Sequence, residues 1–200
     1  MFDLKLVPKI MRKSLIWRMI LPVLVSIVVV LGAAAVNAQR SGSVAASGSP
    51  LLINKLRESE AIVRPEAIAY MIWTTGTSAP HEVWYRISGG DALFRQRLRV
   101  YKENAPPRAE NTLPPESERV QELSSNNPTG WYILGPERGT FSYYFDGDHR
   151  RSGNSWENDE GITVTQITYE NGTLYRIGFE DRVILDDYND LIVEVALIQE

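Results

Sequence analysis

Residues 177–195 read I-G-F-E-D-R-V-I-L-D-D-Y-N-D-L-I-V-E-V, an acidic cluster set between two apolar runs. Glu180 and Asp181 close the first run, and Asp186, Asp187, Asn189 and Asp190 open the second. Carboxylates brought this close repel one another unless a cation, a basic side chain or water lies between them. A hard cation such as calcium takes about six to eight oxygen ligands of this kind. The spacing therefore points to a calcium-organised loop at one end of a β-sheet domain, with these six side chains as the metal ligands. The competing arrangement uses arginine: Arg150, Arg151 or Arg182 beside these carboxylates would neutralise them without metal, at about 0 to 1 kcal/mol for a surface pair.

A second acidic stretch, residues 145–154, carries Asp146-Gly147-Asp148 and is open to two readings, a second metal loop or an ordinary Asp-Gly turn. It lacks the register of an EF-hand loop. His149 beside it is expected to be exposed. Trp156 lies in the polar stretch 153–158 and is the candidate ligand-binding aromatic. With Trp131, Tyr144 and Tyr175 it offers ring faces for stacking on a sugar. The chain has no G-x-S-x-G elbow, no H-E-x-x-H and no phosphate-cradling G-x-x-x-x-G-K-[ST]. Paired carboxylates are all a glycosidase needs, and Glu157 with Glu180 would be the first pair to test. Adjacent acids suit an ion better than the divergent pKa values of an acid and a base, so no catalytic residue is assigned.

The elements that must hold these groups read as strands. Residues 67–74 are apolar on both faces, and residues 82–87 alternate Val83, Tyr85 and Ile87 with Trp84 and Arg86. Residues 88–91 mark a turn, and residues 98–101 form a weaker strand. Residues 129–134 and 140–146 are strands about a Gly-Pro-rich break, and residues 162–170 and 173–179 flank Asn171-Gly172, a type I′ hairpin signal. Residues 190–198 alternate as a final strand. Residues 51–63 suit a short amphipathic helix, and the Pro-rich insertion 104–128 is expected to hold a helical turn at 116–123. The fold class is all-β, an antiparallel β-sandwich with jelly-roll-like connections and one or two short helices.

The first 38 residues are a targeting segment. Lys5, Lys9, Arg12, Lys13 and Arg18 precede an apolar run from residue 19, and Val36-Asn37-Ala38 offers a cleavage site. If uncleaved, the run would anchor the chain with its N-terminus inside the cell, the one membrane contact expected. Either way the remainder is exported, so it is secreted, periplasmic or held at the cell surface. Residues 39–50 are a flexible Gly-Ser-Ala linker, and residues 51–200 form the domain. The targeting segment carries five basic residues and Asp3, so the formal charge of −4 becomes −8 for the rest. Residues 141–200 alone carry 13 acids against four arginines. That surface disfavours nucleic acid and favours metal cations. The absence of cysteine excludes thiol catalysis, cysteine-ligated zinc and disulfides.

Three pieces in order, Asn158-Asp159-Glu160-Gly161, Gly178-Phe179-Glu180-Asp181 and Asp187-Tyr188-Asn189-Asp190-Leu191-Ile192-Val193, resemble a secreted bacterial domain family of unknown function. That family is typified by N-x-D-G, F-E-D and D-x-D-[Phe/Tyr]-N-D motifs and occurs in exported, surface-linked and PEP-CTERM-type proteins. The resemblance covers residues 141–198. It departs from the pattern at Leu185, where the first Asp of D-x-D would fall, with Asp186 beside it. It implies an exported location and a calcium site rather than an activity. The expected role is structural or adhesive, with an extracellular glycan or a surface protein as partner; the alternatives are a carbohydrate-binding module and a glycoside-active enzyme.

Overall fold

The computed structural model describes residues 42–181 and 187–199. The N-terminal stretch read as a targeting segment lies outside the described residues, and among them no helix is long and apolar enough to cross a membrane. The strands are β1 (Val44–Ala45), β2 (Lys55–Glu58), β3 (Ile62–Pro65), β4 (Ala69–Gly89), β5 (Arg95–Glu103), β6 (Arg119–Leu123), β7 (Tyr132–Arg150), β8 (Glu157–Asn158), β9 (Gly161–Tyr169), β10 (Gly172–Phe179) and β11 (Leu191–Gln199). Every pairing between them is antiparallel, in the order β2-β9-β10-β11-β4-β7-β5-β6.

Strands β4 and β7 run for 21 and 19 residues, about twice the upper end of ordinary strand lengths. Each serves two layers. The second half of β4 pairs with β11, while its first half pairs with residues 141–146 of β7, whose other side carries β5. Register shifts between Thr74 and Val83 mark the bend, as bulges do where a strand turns a corner. The sequence reading divides each of these strands in two at its irregular middle. The structure joins the halves, because bulges carry the ladder through residues that lack alternation.

The two layers pack face to face as an antiparallel β-sandwich. Tyr70 of β4 meets Tyr175 of β10 with ring centroids 5.6 Å apart, although β4 and β10 are not paired. Between the layers lie Leu98, Val100, Tyr143 and Phe145 from one side and Ile162, Val164, Ile177, Phe179, Leu191, Val193 and Val195 from the other, all buried. Full burial of such a side chain contributes about 1.5 to 3 kcal/mol.

Several expectations need correction. Residues 51–63 form no helix: they supply β2 and β3, which pair with β9. Weak helical periodicity loses there to an open sheet edge with unpaired backbone groups. The helical turn at 116–123 shrinks to a 3₁₀ turn, Glu116–Glu118, and the rest is β6. In the stretch read as a linker, β1 pairs with β7, and the Ala46 N–H donates to Trp131 O at 2.8 Å. The β9–β10 hairpin stands, but its turn residues are Glu170 and Asn171, since Gly172 already pairs with Tyr169. A Cβ on Gly172 would lie 2.2 Å from Leu197 O, so close approach of β11, not turn geometry, requires glycine there.

Gly147 fixes the separation of the layers, because a Cβ on it would stand 2.5 Å from both the Phe179 ring and Asp159 Oδ2. Overpacking of this kind costs about 1 to 3 kcal/mol. Gly147→Ala is expected to lower the melting temperature by about 3 to 10 °C; an unchanged melt would show that the layers are not in this contact.

Candidate functional site

The three sequence pieces converge at one end of the sandwich. The β9–β10 ladder continues past the strand ends, with the Glu160 N–H donating to Glu180 O at 2.7 Å and the Glu180 N–H to Gly161 O at 3.1 Å. Tyr188, at φ 50°, folds the returning chain over this end. Its N–H donates to Glu180 Oε2 at 3.1 Å, and the Asp181 N–H donates to Asp190 Oδ2 at 2.8 Å. Two glycines let the backbone close in: a Cβ on Gly178 would lie 2.1 Å from Tyr188 O, and one on Gly90 2.2 Å from Asp190 O. Residues 88–91, read as a turn, thus abut the acidic loop, where the Asp91 N–H donates to Asn189 O at 3.0 Å.

Glu180, Asp181 and Asp190 each bring a carboxylate oxygen within 4.8 Å of the others, and all three are buried. Gln96 of β5 joins them, its Nε2 donating to Asp181 Oδ2 at 3.0 Å. The buried Oε1 of Gln96 and Oδ1 of Asn189 have no hydrogen-bond partner among the described residues. Burial pushes the Asp190 carboxyl above its ordinary range; hydrogen bonds from the Asp181 backbone and Glu180 oppose the shift, and the charges of Asp181 and Asp187 add to it. Asp187 itself is exposed, and Asp186 lies outside the described residues. Of the six expected ligands, then, three converge with buried carboxylates, and Asn189 immediately precedes one of them in the chain.

Asp146 and Asp148 are not in a loop. They sit within β7 directly opposite Arg99 and Arg97 of β5. Arg99 Nη2 lies 2.6 Å from Asp146 Oδ2, Arg97 Nη2 2.6 Å from Asp148 Oδ2, and Arg99 Nε 2.8 Å from Asp148 Oδ2. Arginine faces these acids and opposes the upward pull of burial on their carboxyls, but it comes from two residues of β5 that local sequence does not bring near them. Of the arginines expected to serve the acidic cluster, Arg150 lies over the Trp156 ring at 5.0 Å and Arg151 over the Phe94 ring at 5.4 Å, and Arg182 lies outside the described residues.

His149, expected to be exposed, is buried. Its Nδ1 is 3.0 Å from Asp159 Oδ1, and its Nε2 is 3.8 Å from exposed Glu157. Burial lowers its pKa, but hydrogen bonding to Asp159 and nearby acidic charge outweigh that and leave it raised. Burial also pushes Asp159 up to about 7 against the pull of His149, and Asp146 up to about 8 with help from the Asp148 charge and against Arg99. Sequence reasoning missed Gln96, Arg97, Arg99 and the His149–Asp159 pair. The alternation of Gln96, Leu98 and Val100 with Arg97 and Arg99 is the signal that one strand sends an amide inward and two guanidinium groups outward.

Trp156 is half-buried, with the Arg97 guanidinium 4.4 Å from its ring centroid as well as that of Arg150. Trp131 and Tyr144 are buried, and Tyr175 is packed on Tyr70. The expected aromatic platform is therefore engaged within the protein itself. Glu157 and Glu180 differ in kind, one exposed in β8 and the other buried.

No family model and no curated protein matches the chain. Among solved structures, the Chromobacterium violaceum lectin CV2L in complex with alpha-methyl-fucoside is similar at 15% identity and a TM-score of 0.33, over 68% of this chain and 93% of that one. A likeness this distant carries nothing about the ligand of this chain.

The raised carboxyls dictate a pH response. Asp146 and Asp159 keep their protons to about pH 8 and about pH 7 in the folded chain, whereas the unfolded chain releases them near 4. The folded state thus binds more protons over that range, and stability falls as pH rises. Burial depresses the pKa of His81, which is therefore neutral in both states above about pH 7 and does not offset the loss there. From about pH 7 to 8, in EDTA, stability should fall by about 1 kcal/mol, and Asp146→Asn should flatten the slope. A melting temperature that rises over this interval would contradict the assignment.

Proposed function

We propose that Glu180, Asp181 and Asp190 hold a hard divalent cation, calcium by ligand chemistry, at the end of an exported β-sandwich whose role is structural or adhesive at the cell surface. The observation that carries the reading is the meeting of three buried carboxylates with Gln96, whose amide donates to Asp181 and whose own buried oxygen has no hydrogen-bond partner among the described residues. Carboxylates withdrawn from water at this separation repel strongly. An oxygen-only set of carboxylates and amide carbonyls suits calcium, and neither histidine nor cysteine is among the donors. Bound there, the ion would tie the end of β10 to the start of β11 and, through Gln96, to β5. Export rests on the basic and apolar N-terminal segment, and the resemblance to a secreted family agrees with it. Trp156, with two guanidinium groups against its ring, lends no support to a sugar platform at that residue.

The segment from Ser41 to Glu200 is a compact unit in its own contacts, so residues 39–200 serve for the test. Melting in millimolar calcium should exceed melting in excess EDTA by about 5 to 10 °C, the effect of about 2.7 kcal/mol of binding at 100 times Kd. Asp190→Asn should abolish the difference while raising the melting temperature in EDTA, since it relieves repulsion. Equal melting of the unsubstituted protein in the two buffers would sink the proposal.

A further inference from the structure

The acidic half of the protein contains a basic hollow. Leu93, Phe94, Arg95, Arg150 and Arg151 line an open cavity of about 760 Å³ together with Ser152 and Asn154. Arg86, Arg97, Arg99, Arg108 and Arg119 each hold a carboxylate. Among the described residues, Arg95, Arg150 and Arg151 make no ion pair, and the contacts of the latter two are with the rings of Trp156 and Phe94. Arg151 Nε is buried without a hydrogen-bond partner. Arg95 and Arg150 are also directly opposite each other across β5 and β7. A like-charged pair in that register is destabilising, and an anion placed between the two guanidinium groups would reverse the sign.

We infer that this hollow binds a carboxylated sugar, a uronate residue of an acidic polysaccharide. The guanidinium fork matches a carboxylate in two hydrogen bonds. Leu93, 89% exposed, offers apolar surface to the C–H face of a sugar ring. Ser152 and Asn154 offer partners for its hydroxyls. Nucleic acid, a denser polyanion, is disfavoured by the 13 acids against four arginines of residues 141–200. The site is separate from the carboxylate cluster and needs no cation.

The test is calorimetric titration of residues 39–200 with trigalacturonate, in EDTA so that no calcium bridges the sugar to the protein. Trigalacturonate should bind, neutral maltotriose should not, and the double substitution Arg95→Gln with Arg151→Gln should weaken binding by about tenfold or more. A melt of the double variant checks that it is folded, and Arg151→Lys, which keeps charge but loses the fork, should fall between the two. Absence of binding at about 10 mM sugar, equal binding of the neutral trimer, or an unchanged affinity in the folded double variant would each overturn the inference. Displacement of trigalacturonate by sulfate at equal concentration would overturn its sugar part.

Discussion

Seven carboxylates are buried among the described residues: Asp146, Asp148, Asp159, Glu180, Asp181, Asp190 and Glu194. Withdrawing a carboxylate from water costs several kcal/mol unless a proton, a cation or a dense set of N–H donors compensates it. The arrangement of the sandwich follows the ways in which this is met. Glu194 is held by Arg86 at 2.7 Å and Arg176 at 3.5 Å, on the two strands that flank β11. Asp146 and Asp148 face Arg99 and Arg97 across one strand pair. Asp159 shares a hydrogen bond with His149. Glu180, Asp181 and Asp190 receive N–H groups from Tyr188, Gln96 and Asp181 respectively, which suits a site completed by a cation.

The same contacts couple the site to the layers. Gln96 lies on the inward face of β5 with Leu98 and Val100, so the amide that reaches Asp181 belongs to the row that builds the core. Gly147, opposite Leu98, makes room for Phe179, the residue immediately before Glu180. A shift of either layer would move a core side chain and a carboxylate together. The site is therefore as rigid as the packing beneath it, the condition for holding ligands at fixed distances.

Local pattern carried much of this. Alternation located the strands around residues 162–179 and 190–198, and the crowding of acids on either side of residues 182–185 pointed to six side chains, of which Glu180, Asp181 and Asp190 meet. Long-range pairing carried the rest. Arg99 reaches Asp148 across 49 positions and Gln96 reaches Asp181 across 85, and no periodicity within a window connects such residues. Residues 51–63 misled for a related reason: their strands are stabilised by the edge of β9, a partner about a hundred positions away, rather than by their own pattern. Asp146-Gly147-Asp148 looks like a turn because it breaks the apolar alternation, yet its carboxylates lie on the arginine-bearing face of the β5–β7 pair and its glycine on the core face.

Arginines face one group of buried acids, and a bound cation is proposed for the other. Calorimetric titration of calcium into the EDTA-stripped domain tests it directly, comparing the unsubstituted protein with Asp190→Asn and Asp148→Asn. The account predicts a single site per chain, lost in Asp190→Asn and retained in folded Asp148→Asn. No calcium binding at millimolar concentration, or a site that survives Asp190→Asn, would contradict it.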